Sequence, residues 1–303
     1  MTEHRTNGVD LAGDADAGDA AADAADGAAP GYHAGTTLTV RTEVRRQLWR
    51  RRTRLALALV LLLPLVLVAA FKLGSGDSDG FASFSALATF SAANFTVFTL
   101  GASAGFLLTV VVALLCGDTV ASEASCGSLR YLLALPVPRA RLLGVKLTVS
   151  LLSSAVALVV LTGTALLVGT LAFGAGPLRT PQGEDLAAGE AAWRLAGMVA
   201  YLAVSLLLVA ALAFWLSTST DAPLAAVGGA VMVVIVASIL DQVAALGAVR
   251  SVLPMHYADA WRGLFTDPVQ LDGMAKGAVS TVLYAAVFFA CAWWTFLRKD
   301  ILS

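Results

Sequence analysis

The sequence predicts an all-α membrane protein with six transmembrane helices. Of its 303 residues, 58% are hydrophobic and only 14% are charged, and the mean hydropathy is +0.79. A water-soluble domain needs roughly 25% charged residues to cover its surface. Six stretches of the chain are apolar for long enough to cross a bilayer. Soluble enzyme classes are therefore poor candidates.

Residues 1–37 are predicted to form a disordered acidic tail. Ala, Gly and Asp dominate this segment, so it cannot bury enough apolar surface to offset the entropy of the chain. Its single base is Arg5, against the seven acids Glu3, Asp10, Asp14, Asp16, Asp19, Asp23 and Asp26. The first apolar run begins only at Leu55, so no secretory signal is expected. Residues 38–303 are predicted to form the membrane domain.

The six predicted spans follow from the thickness of the bilayer. A hydrocarbon layer of about 30 Å requires about 17–25 apolar residues in a helix. The stretches that reach this length are 55–71, 95–116, 147–173, 195–216, 222–240 and 277–297. The first contains Pro64, which a membrane helix tolerates as a kink.

The distribution of Lys and Arg predicts the orientation of the chain, because cytoplasmic flanks carry the excess of positive charge. Thirteen of these residues lie on the flanks that share a side with residues 41–54, and six lie on the opposite flanks. Both termini are therefore expected in the cytoplasm. The outer loops would be 72–94, 174–194 and 241–276. Within the last loop, the aromatic and polar mixture over 254–265 predicts a short helix on or in the outer leaflet.

An amphipathic interfacial helix is predicted just before the first span. Val40, Val44 and Leu48 recur every four residues with Trp49 beside them, and arginines occupy the remaining circumference. One interpretation is a lever that lies along the inner membrane surface. The alternative is an arginine cluster that sets the topology and binds anionic lipid, which explains the charge but not the apolar stripe.

The segment between spans two and three carries the most specific pattern in the chain. A polar stretch starts at Gly117 and includes Gly127, an amphipathic segment follows over 129–135, and Pro136 and Pro138 end it. Gly and Pro at these positions favour a turn and a stop. The pattern predicts a compact protrusion over residues 118–139 rather than a slack linker.

This segment resembles the first cytoplasmic loop of the permease subunits of ABC-2 type ATP-binding cassette exporters. That loop reads roughly Glu-x-x-x-Gly-Thr-Leu-x-x-Leu-x-x-x-Pro-[apolar]-Ser-Arg. Six residues match it in order: Glu123, Gly127, Leu129, Leu132, Pro136 and Arg139. Ser128 stands where Thr is usual and preserves the hydroxyl, whereas Pro138 stands where Ser is usual. The basic amphipathic helix, the six spans and the aromatic last span extend the resemblance over nearly everything after residue 40.

The resemblance implies that the loop forms a coupling helix that docks into a groove of a separate ATPase subunit. Glu123 and Arg130 would make polar contacts, and three leucines would seat the helix. The implied interface is Glu123, Gly127, Ser128, Leu129, Arg130, Leu132, Leu133, Pro136 and Arg139. The permease would form a dimeric path, as a homodimer or with a related permease, in membrane lipid. Nucleic acid is not an expected partner.

The energy source is expected outside this chain. None of the five later apolar cores contains Asp, Glu, Lys, Arg or His, whereas ion-coupled transporters usually keep such a residue in the membrane. The chain has no GxxxxGK[ST] motif either, so ATP-Mg would bind to the partner subunit and no cofactor or metal to this chain. Arginine outnumbers lysine 16 to 4, which favours a GC-rich prokaryote and its cytoplasmic membrane.

Two other functions remain open at this level. The chain could be a membrane scaffold or assembly factor that transports nothing. The run 101–105 with His256 also faintly resembles an intramembrane serine protease of the rhomboid type, although His256 follows Pro254 in a loop rather than lying in a span. The three cysteines, Cys116, Cys126 and Cys291, show no CxxC spacing and predict neither a disulfide framework nor a zinc site.

Overall fold

The computed structural model of the protein describes residues 40–73, 86–126, 138–266 and 268–298. Of these residues, 83% are helical. The acidic tail predicted over 1–37 lies outside the described residues, as does the segment 127–137.

The described chain forms eight α-helices, two short 3₁₀ helices and one two-stranded sheet. In chain order they are α1 (Val40–Trp49), α2 (Arg51–Leu73), α3 (Ala92–Ala104), α4 (Leu107–Ser125), α5 (Arg139–Phe173), β1 (Leu178–Arg179), β2 (Asp185–Leu186), α6 (Ala188–Ser219), α7 (Pro223–Asp241), the 3₁₀ helices η1 (Ala244–Val252) and η2 (Ala260–Phe265), and α8 (Asp272–Arg298).

Six of these helices are long and apolar enough to cross a membrane: α2, α4, α5, α6, α7 and α8. The predicted number of spans is therefore confirmed. The length and composition of the six helices are those of a multi-pass membrane protein, because a helix satisfies all its backbone hydrogen bonds internally and can present apolar side chains to lipid.

Helix α4 forms the centre of the bundle. It packs against α2, α5, α6 and α7, and 72% of its apolar window is buried, against 17–50% for the other five candidate spans. The peripheral helices expose large apolar residues such as Leu59, Leu171 and Met232. Such faces are stable in hydrocarbon, so they mark the surface that contacts lipid.

The helices bring distant parts of the chain together at two ends of the bundle. At one end, which we call the arginine-rich end, α1 and the start of α5 meet the end of α4, and Ser217 of α6 bonds to α4. At the other, the hairpin end, the sheet contacts the start of α3 and η2 contacts α6. This separation places α1, the end of α4 and the start of α5 on one side of the bundle.

The prediction of one continuous span over 95–116 is wrong. The chain instead forms α3 and α4, which are separated by Gly105 and Phe106, and Phe106 has a non-helical backbone with φ −127° and ψ −62°. The Thr109 hydroxyl donates to the Ala104 carbonyl at 3.3 Å, which supplies a partner beside the break. A membrane helix can be interrupted where side chains satisfy the freed backbone groups in this way.

The predicted end of that span, at residue 116, is also wrong. Helix α4 continues to Ser125, so the polar stretch expected to start a protrusion is helical, and Asp118 and Glu123 are buried within the bundle. The remaining part of the predicted protrusion, 127–137, lies outside the described residues.

The predicted outer loop 241–276 contains two 3₁₀ helices, and the second of them packs into the bundle. The short helix expected over 254–265 is a 3₁₀ helix that begins only at Ala260, and residues 254–259 form turns. Trp261, Leu264 and Phe265 are buried in the bundle. Gly101 makes room for the indole ring, since a Cβ at position 101 would lie 3.1 Å from it.

The two-stranded sheet is a feature that the all-α prediction did not include. Strands β1 and β2 are antiparallel, with Leu178 opposite Leu186 and Arg179 opposite Asp185. The Asn94 side chain docks this hairpin onto α3, because its amide donates to the Arg179 carbonyl at 2.8 Å and its oxygen accepts from the Arg179 amide at 2.9 Å. The hydrogen bonds from Arg179 lower the pKa of the Asp185 carboxyl, so this pair is retained at neutral pH and lost only in acid.

Gly277 of α8 offers a test of the packing between α8 and α6. A Cβ at position 277 would overlap the Tyr201 hydroxyl and lie 2.6 Å from the Tyr257 Cβ. That hydroxyl donates to the Tyr257 carbonyl at 2.6 Å, so it cannot move away without losing the bond. We expect Gly277→Ala to lower the free energy of unfolding by about 1–3 kcal/mol, as overpacking does, measured by SDS titration in mixed micelles.

The matched control is Gly163→Ala in α5, where an added Cβ meets no atom within 4 Å. This variant should be at least as stable as the wild type, because Ala favours a helix more than Gly does. Equal stability of the two variants would contradict the close packing at Gly277.

Candidate functional site

The candidate site is a group of charged side chains at the arginine-rich end, contributed by α1, the residues after it, α4 and α5. We call it the ionic cluster; its members are Glu43, Arg46, Arg50, Arg52, Asp118, Glu123 and Lys146. The paired groups lie up to 103 residues apart in the sequence. The cluster therefore exists only because the helices fold against one another.

Its centre is the ion pair between Glu123 and Lys146. The Lys146 Nζ lies 2.6 Å from one Glu123 carboxylate oxygen, and both side chains are only 2% exposed. Lys146 also lies 3.4 Å from the Glu43 carboxylate of α1. One lysine from α5 thus bridges a carboxylate of α4 and a carboxylate of α1. Buried charges of this kind are tolerated only when they are paired, because removal from water costs several kcal/mol per ion.

Three arginines lie around this centre, and each is at least partly exposed. Arg46 lies 2.9 Å from Glu123, and Arg50 lies 3.3 Å from Asp118 and 3.6 Å from Glu123. Arg52 pairs with Asp118 and is 52% exposed. Three carboxylates therefore face four cationic groups, which leaves one positive charge in excess. The exposed Arg46 and Arg52 carry that charge at the surface of the bundle.

Neutral hydrogen bonds fix the end of α4 from two further sides. The Gln47 side chain of α1 donates to the Leu115 carbonyl at 3.3 Å. The Ser217 hydroxyl of α6 accepts from the Val120 and Ala121 amides at 3.1 and 3.0 Å. Gly117 lets α7 approach, because a Cβ there would lie 3.0 Å from Val227. The last three turns of α4 are thus held by α1, α5, α6 and α7.

The predicted interface residues divide into two described residues and seven that the structure does not describe. Glu123 is buried in the ionic cluster rather than presented on the surface, and Arg139 is exposed at the start of α5. The others, which are Gly127, Ser128, Leu129, Arg130, Leu132, Leu133 and Pro136, lie outside the described residues. Their proposed role in an interface stays a prediction.

Helix α1 turns its polar side towards the bundle. Glu43 and Gln47 are its buried residues, whereas Val40, Leu48 and Trp49 are exposed and Val44 is half-buried. The polarity of a helix on a soluble domain would be the reverse. An apolar stripe that faces away from the bundle is available to lipid, while the inner polar face is satisfied by α4 and α5.

Sequence reasoning missed most of the cluster. The basic residues Arg46, Arg50 and Lys146 contributed only to the count of positive charge, and Glu43 and Asp118 received no role. A signal was present, because Glu43 is the single acid among the seven arginines of 41–54, and Asp118 and Glu123 are the only acids in 117–138. Acids isolated in this way near apolar segments need partners, but the sequence does not identify them.

The residues of the protease hypothesis each have a separate partner. The Ser103 hydroxyl donates to the Leu100 carbonyl at 3.0 Å within α3. The His256 Nδ1 lies 2.6 Å from an Asp241 carboxylate oxygen. The two side chains form no hydrogen bond with each other, whereas a serine nucleophile requires its base within hydrogen-bond reach. This geometry gives the hypothesis no support.

The described part of the chain contains no disulfide and no group of side chains placed to bind a metal ion. Cys116 is buried, Cys126 is exposed and Cys291 is half-buried, and all three are free thiols. Within the described ranges, no group of three or more His, Cys, Asp or Glu side chains is placed to hold a metal ion. The ionic cluster can hold α1, α4 and α5 together, because separating its buried charges would cost several kcal/mol.

Lys146 tests the strength of this link. Lys146→Met leaves Glu123 and Glu43 without their shared cation, and we expect the free energy of unfolding to fall by about 3 kcal/mol, as when one partner of a buried pair is removed. SDS titration in mixed micelles measures this change. Lys146→Met combined with Glu123→Met should be more stable than Lys146→Met alone, because the buried Glu123 carboxylate is then removed together with its nearest cation.

Arg262→Met is the matched control, because Arg262 pairs with Asp259 at 3.0 Å in an exposed position. An exposed pair contributes at most about 1 kcal/mol, so this variant should stay close to the wild type. A Lys146→Met variant as stable as the Arg262→Met control would contradict a buried cluster.

Comparison with known proteins identifies the family of the chain without assigning it an activity. No curated protein matches the sequence significantly. One family profile, described as "Protein of unknown function (DUF2705)", matches residues 55–302. The match extends from the first span through the last and includes α4 and α5 of the ionic cluster. The chain therefore belongs to the DUF2705 family.

Proposed function

We propose that this chain is the membrane-spanning permease subunit of an ABC-2 type exporter. In this proposal it forms a dimeric translocation path with a second copy or a related permease, and separate cytoplasmic ATPase subunits bind ATP-Mg and drive it. The chain itself is not an enzyme. The alternative of a membrane scaffold or assembly factor differs in having no ATP-driven partner.

The ionic cluster is the observation that carries the proposal. Glu123 is the first residue of the pattern that resembles the permease loop, and it lies four positions before Gly127. Its carboxylate is paired with Lys146 of α5 and Arg46 of α1. Residues 127–137 therefore connect two helices, α4 and α5, that are tied together by buried charges. A protein that receives force at this loop needs such a connection.

The same contacts give a physical account of coupling. A partner that moves the loop would displace the end of α4, and Glu123 would transmit the displacement to α5 and α1 because separating the buried pair is costly. Helix α1 would act as the lever, with its apolar stripe in the membrane surface and Glu43 and Gln47 against the bundle. The spans would then shift between inward-facing and outward-facing arrangements as rigid elements.

This account changes the role of one residue in the proposed interface. Glu123 is 2% exposed, so it acts within the permease as a positioning residue rather than by touching the ATPase. Direct contact would fall to the residues after it, Leu129, Leu132 and Leu133 among them, and to the exposed Arg139.

The distribution of charge supports the proposed orientation. Thirteen Lys and Arg residues flank the spans on the side of α1, against six on the other side, and the excess of positive charge is cytoplasmic in most membrane proteins. In the proposed orientation the arginine-rich end, both termini and the docking segment face the cytoplasm, where ATP is available. The proposed location is the cytoplasmic membrane of a prokaryote.

Isolation of the native complex tests the proposal. The tagged full-length chain is purified from membranes of its own host in mild detergent, and the bound proteins are identified by mass spectrometry. We expect a protein with a GxxxxGK[ST] motif that hydrolyses ATP, because that motif forms the phosphate-binding loop of such subunits. Purification of the chain with no nucleotide-binding partner, together with transport by the chain alone, would refute the proposal.

A substitution in the docking loop locates the contact. Leu132→Asp places a charge in the apolar surface proposed to bind the ATPase, and we expect it to reduce the ATPase recovered in the pull-down by at least about tenfold, equivalent to about 1.4 kcal/mol of binding energy. The amount of membrane-inserted chain should not change.

The matched control is Leu271→Asp, which changes an exposed leucine in the loop between η2 and α8 at the opposite end of the bundle. It should retain the ATPase at the level of the wild type. Equal recovery with both variants would show that the loop does not bind the partner and would favour the scaffold alternative.

A further inference from the structure

A cavity of about 550 Å³ lies at the hairpin end of the bundle. Its walls come from α3, the hairpin and η2, and they include Phe98, Gly101, Ala102, Arg179, Trp261 and Arg262. This volume is in the range of sites that bury small organic ligands, about 300–1,000 Å³. The cavity lies at the end of the bundle opposite the ionic cluster, so it belongs to a separate part of the molecule.

The lining has the chemistry of an amphiphile site. Three aromatic rings, Phe98, Trp261 and Phe265, and several aliphatic side chains form the apolar part. The two charged residues among the described lining residues are both arginines, Arg179 and Arg262. An apolar chamber whose charged lining residues are arginines matches a ligand that has an apolar body and an anionic head.

The two arginines differ in their freedom to bind a ligand. Arg179 donates to Asp185 through two nitrogens, at 2.7 and 2.9 Å, and also lies 3.6 Å from the centre of the Phe90 ring. Arg262 makes a single ion pair with Asp259, and its side chain is 67% exposed. Arg262 is therefore the group that can turn towards an anionic head at small cost.

Trp261 supplies a second, independent observation. The residue is 6% exposed, and its indole Nε1 is buried with no hydrogen-bond partner in the described protein. A buried N–H without an acceptor costs roughly 1–3 kcal/mol, and Trp usually finds an acceptor when it is buried. Because Trp261 lines the cavity, an acceptor atom of a bound ligand would remove this penalty.

The cavity is open to the surroundings of the bundle beside Ala102. Ala102 lines the cavity and is exposed at the surface of the bundle, on the helix that precedes the central span. The hairpin residues Arg179 and Gln182 lie on the polar side of the same cavity. An amphiphile in the membrane could thus place its chain among the aromatic rings and its head near the polar end of the bundle.

We propose that this cavity binds a long-chain anionic amphiphile, with its apolar chain against Phe98 and Phe265 and its anionic oxygens accepting from Trp261 Nε1 beside Arg262. The chemistry is shared by a free fatty acid and by an anionic phospholipid. The inference rests on the cavity and holds whether or not an ATPase drives the chain.

Binding of radiolabelled palmitate to the full-length chain in phosphatidylcholine nanodiscs tests this site. We expect saturable binding with one palmitate per chain. Methyl palmitate, which keeps the chain and loses the charge, should bind at least about tenfold more weakly, because hydrogen bonds to a charged group are worth about 1.5–3 kcal/mol. Equal binding of the ester would overturn the anionic part of the proposal.

Two variants connect the binding to the cavity. Ala102→Leu fills part of the space from an exposed position and should abolish saturable binding. Trp261→Phe keeps an aromatic ring and removes the Nε1 donor, and it should weaken palmitate binding about tenfold with little effect on the methyl ester. The matched control is Ala196→Leu, at an exposed alanine of α6 that does not line the cavity, and it should bind as the wild type does.

Competition distinguishes the two sources of the ligand. Displacement of palmitate by phosphatidylglycerol at low molar ratio identifies an anionic phospholipid as an occupant, and failure to displace it identifies a free fatty acid. The melting temperature and the elution volume of each variant establish that it is folded. If a variant is not folded, Arg262→Gln is measured in its place, and we expect it to lose palmitate binding to the same extent. No saturable binding, or binding that all the cavity variants retain unchanged, would overturn the proposal.

Discussion

The pairing of Glu123 with Lys146 is the interaction on which the arginine-rich end depends. Both charges are buried, and a lone carboxylate or ammonium in that position would be strongly unfavourable. Because the pair is satisfied, α4 can continue through Asp118 and Glu123 to Ser125 instead of ending where its apolar run ends. Helix α1 then has a polar surface on which to dock through Glu43 and Gln47. The packing of α1, α4 and α5 at this end thus depends on the pairing of their buried charges.

Lipid as the solvent explains the rest of the bundle. The peripheral helices expose leucine and valine and bury small residues, since close approach of backbones contributes more than apolar burial when the surroundings are apolar as well. Gly117 against Val227 and Gly277 against Tyr201 are two such approaches. Side-chain hydroxyl groups also donate hydrogen bonds to backbone carbonyls. The Thr109 hydroxyl, for example, donates to the Ala104 carbonyl beside the break between α3 and α4.

The two ends of the molecule divide its chemistry. The arginine-rich end holds buried charges that connect helices, which suits the transmission of force from a partner. The hairpin end holds a cavity with aromatic walls, two arginines and an indole N–H without an acceptor, which suits the binding of an amphiphile. Helix α3 lines the cavity and is followed directly by α4, which ends in the ionic cluster.

The number of spans and their approximate positions could be predicted from the chain alone, because the length of an apolar run against the thickness of a bilayer is a local property. The amphipathic pattern of α1 was predictable for the same reason, since it depends on residues four apart. The break at Gly105 and Phe106, the helical state of Asp118 to Ser125 and the inward position of Glu123 were not. Each depends on groups brought from elsewhere in the chain, such as Lys146 and Arg46 for Glu123. A charge belongs at the surface or in the interior according to the partners that meet it there, and only the tertiary structure decides which partners those are.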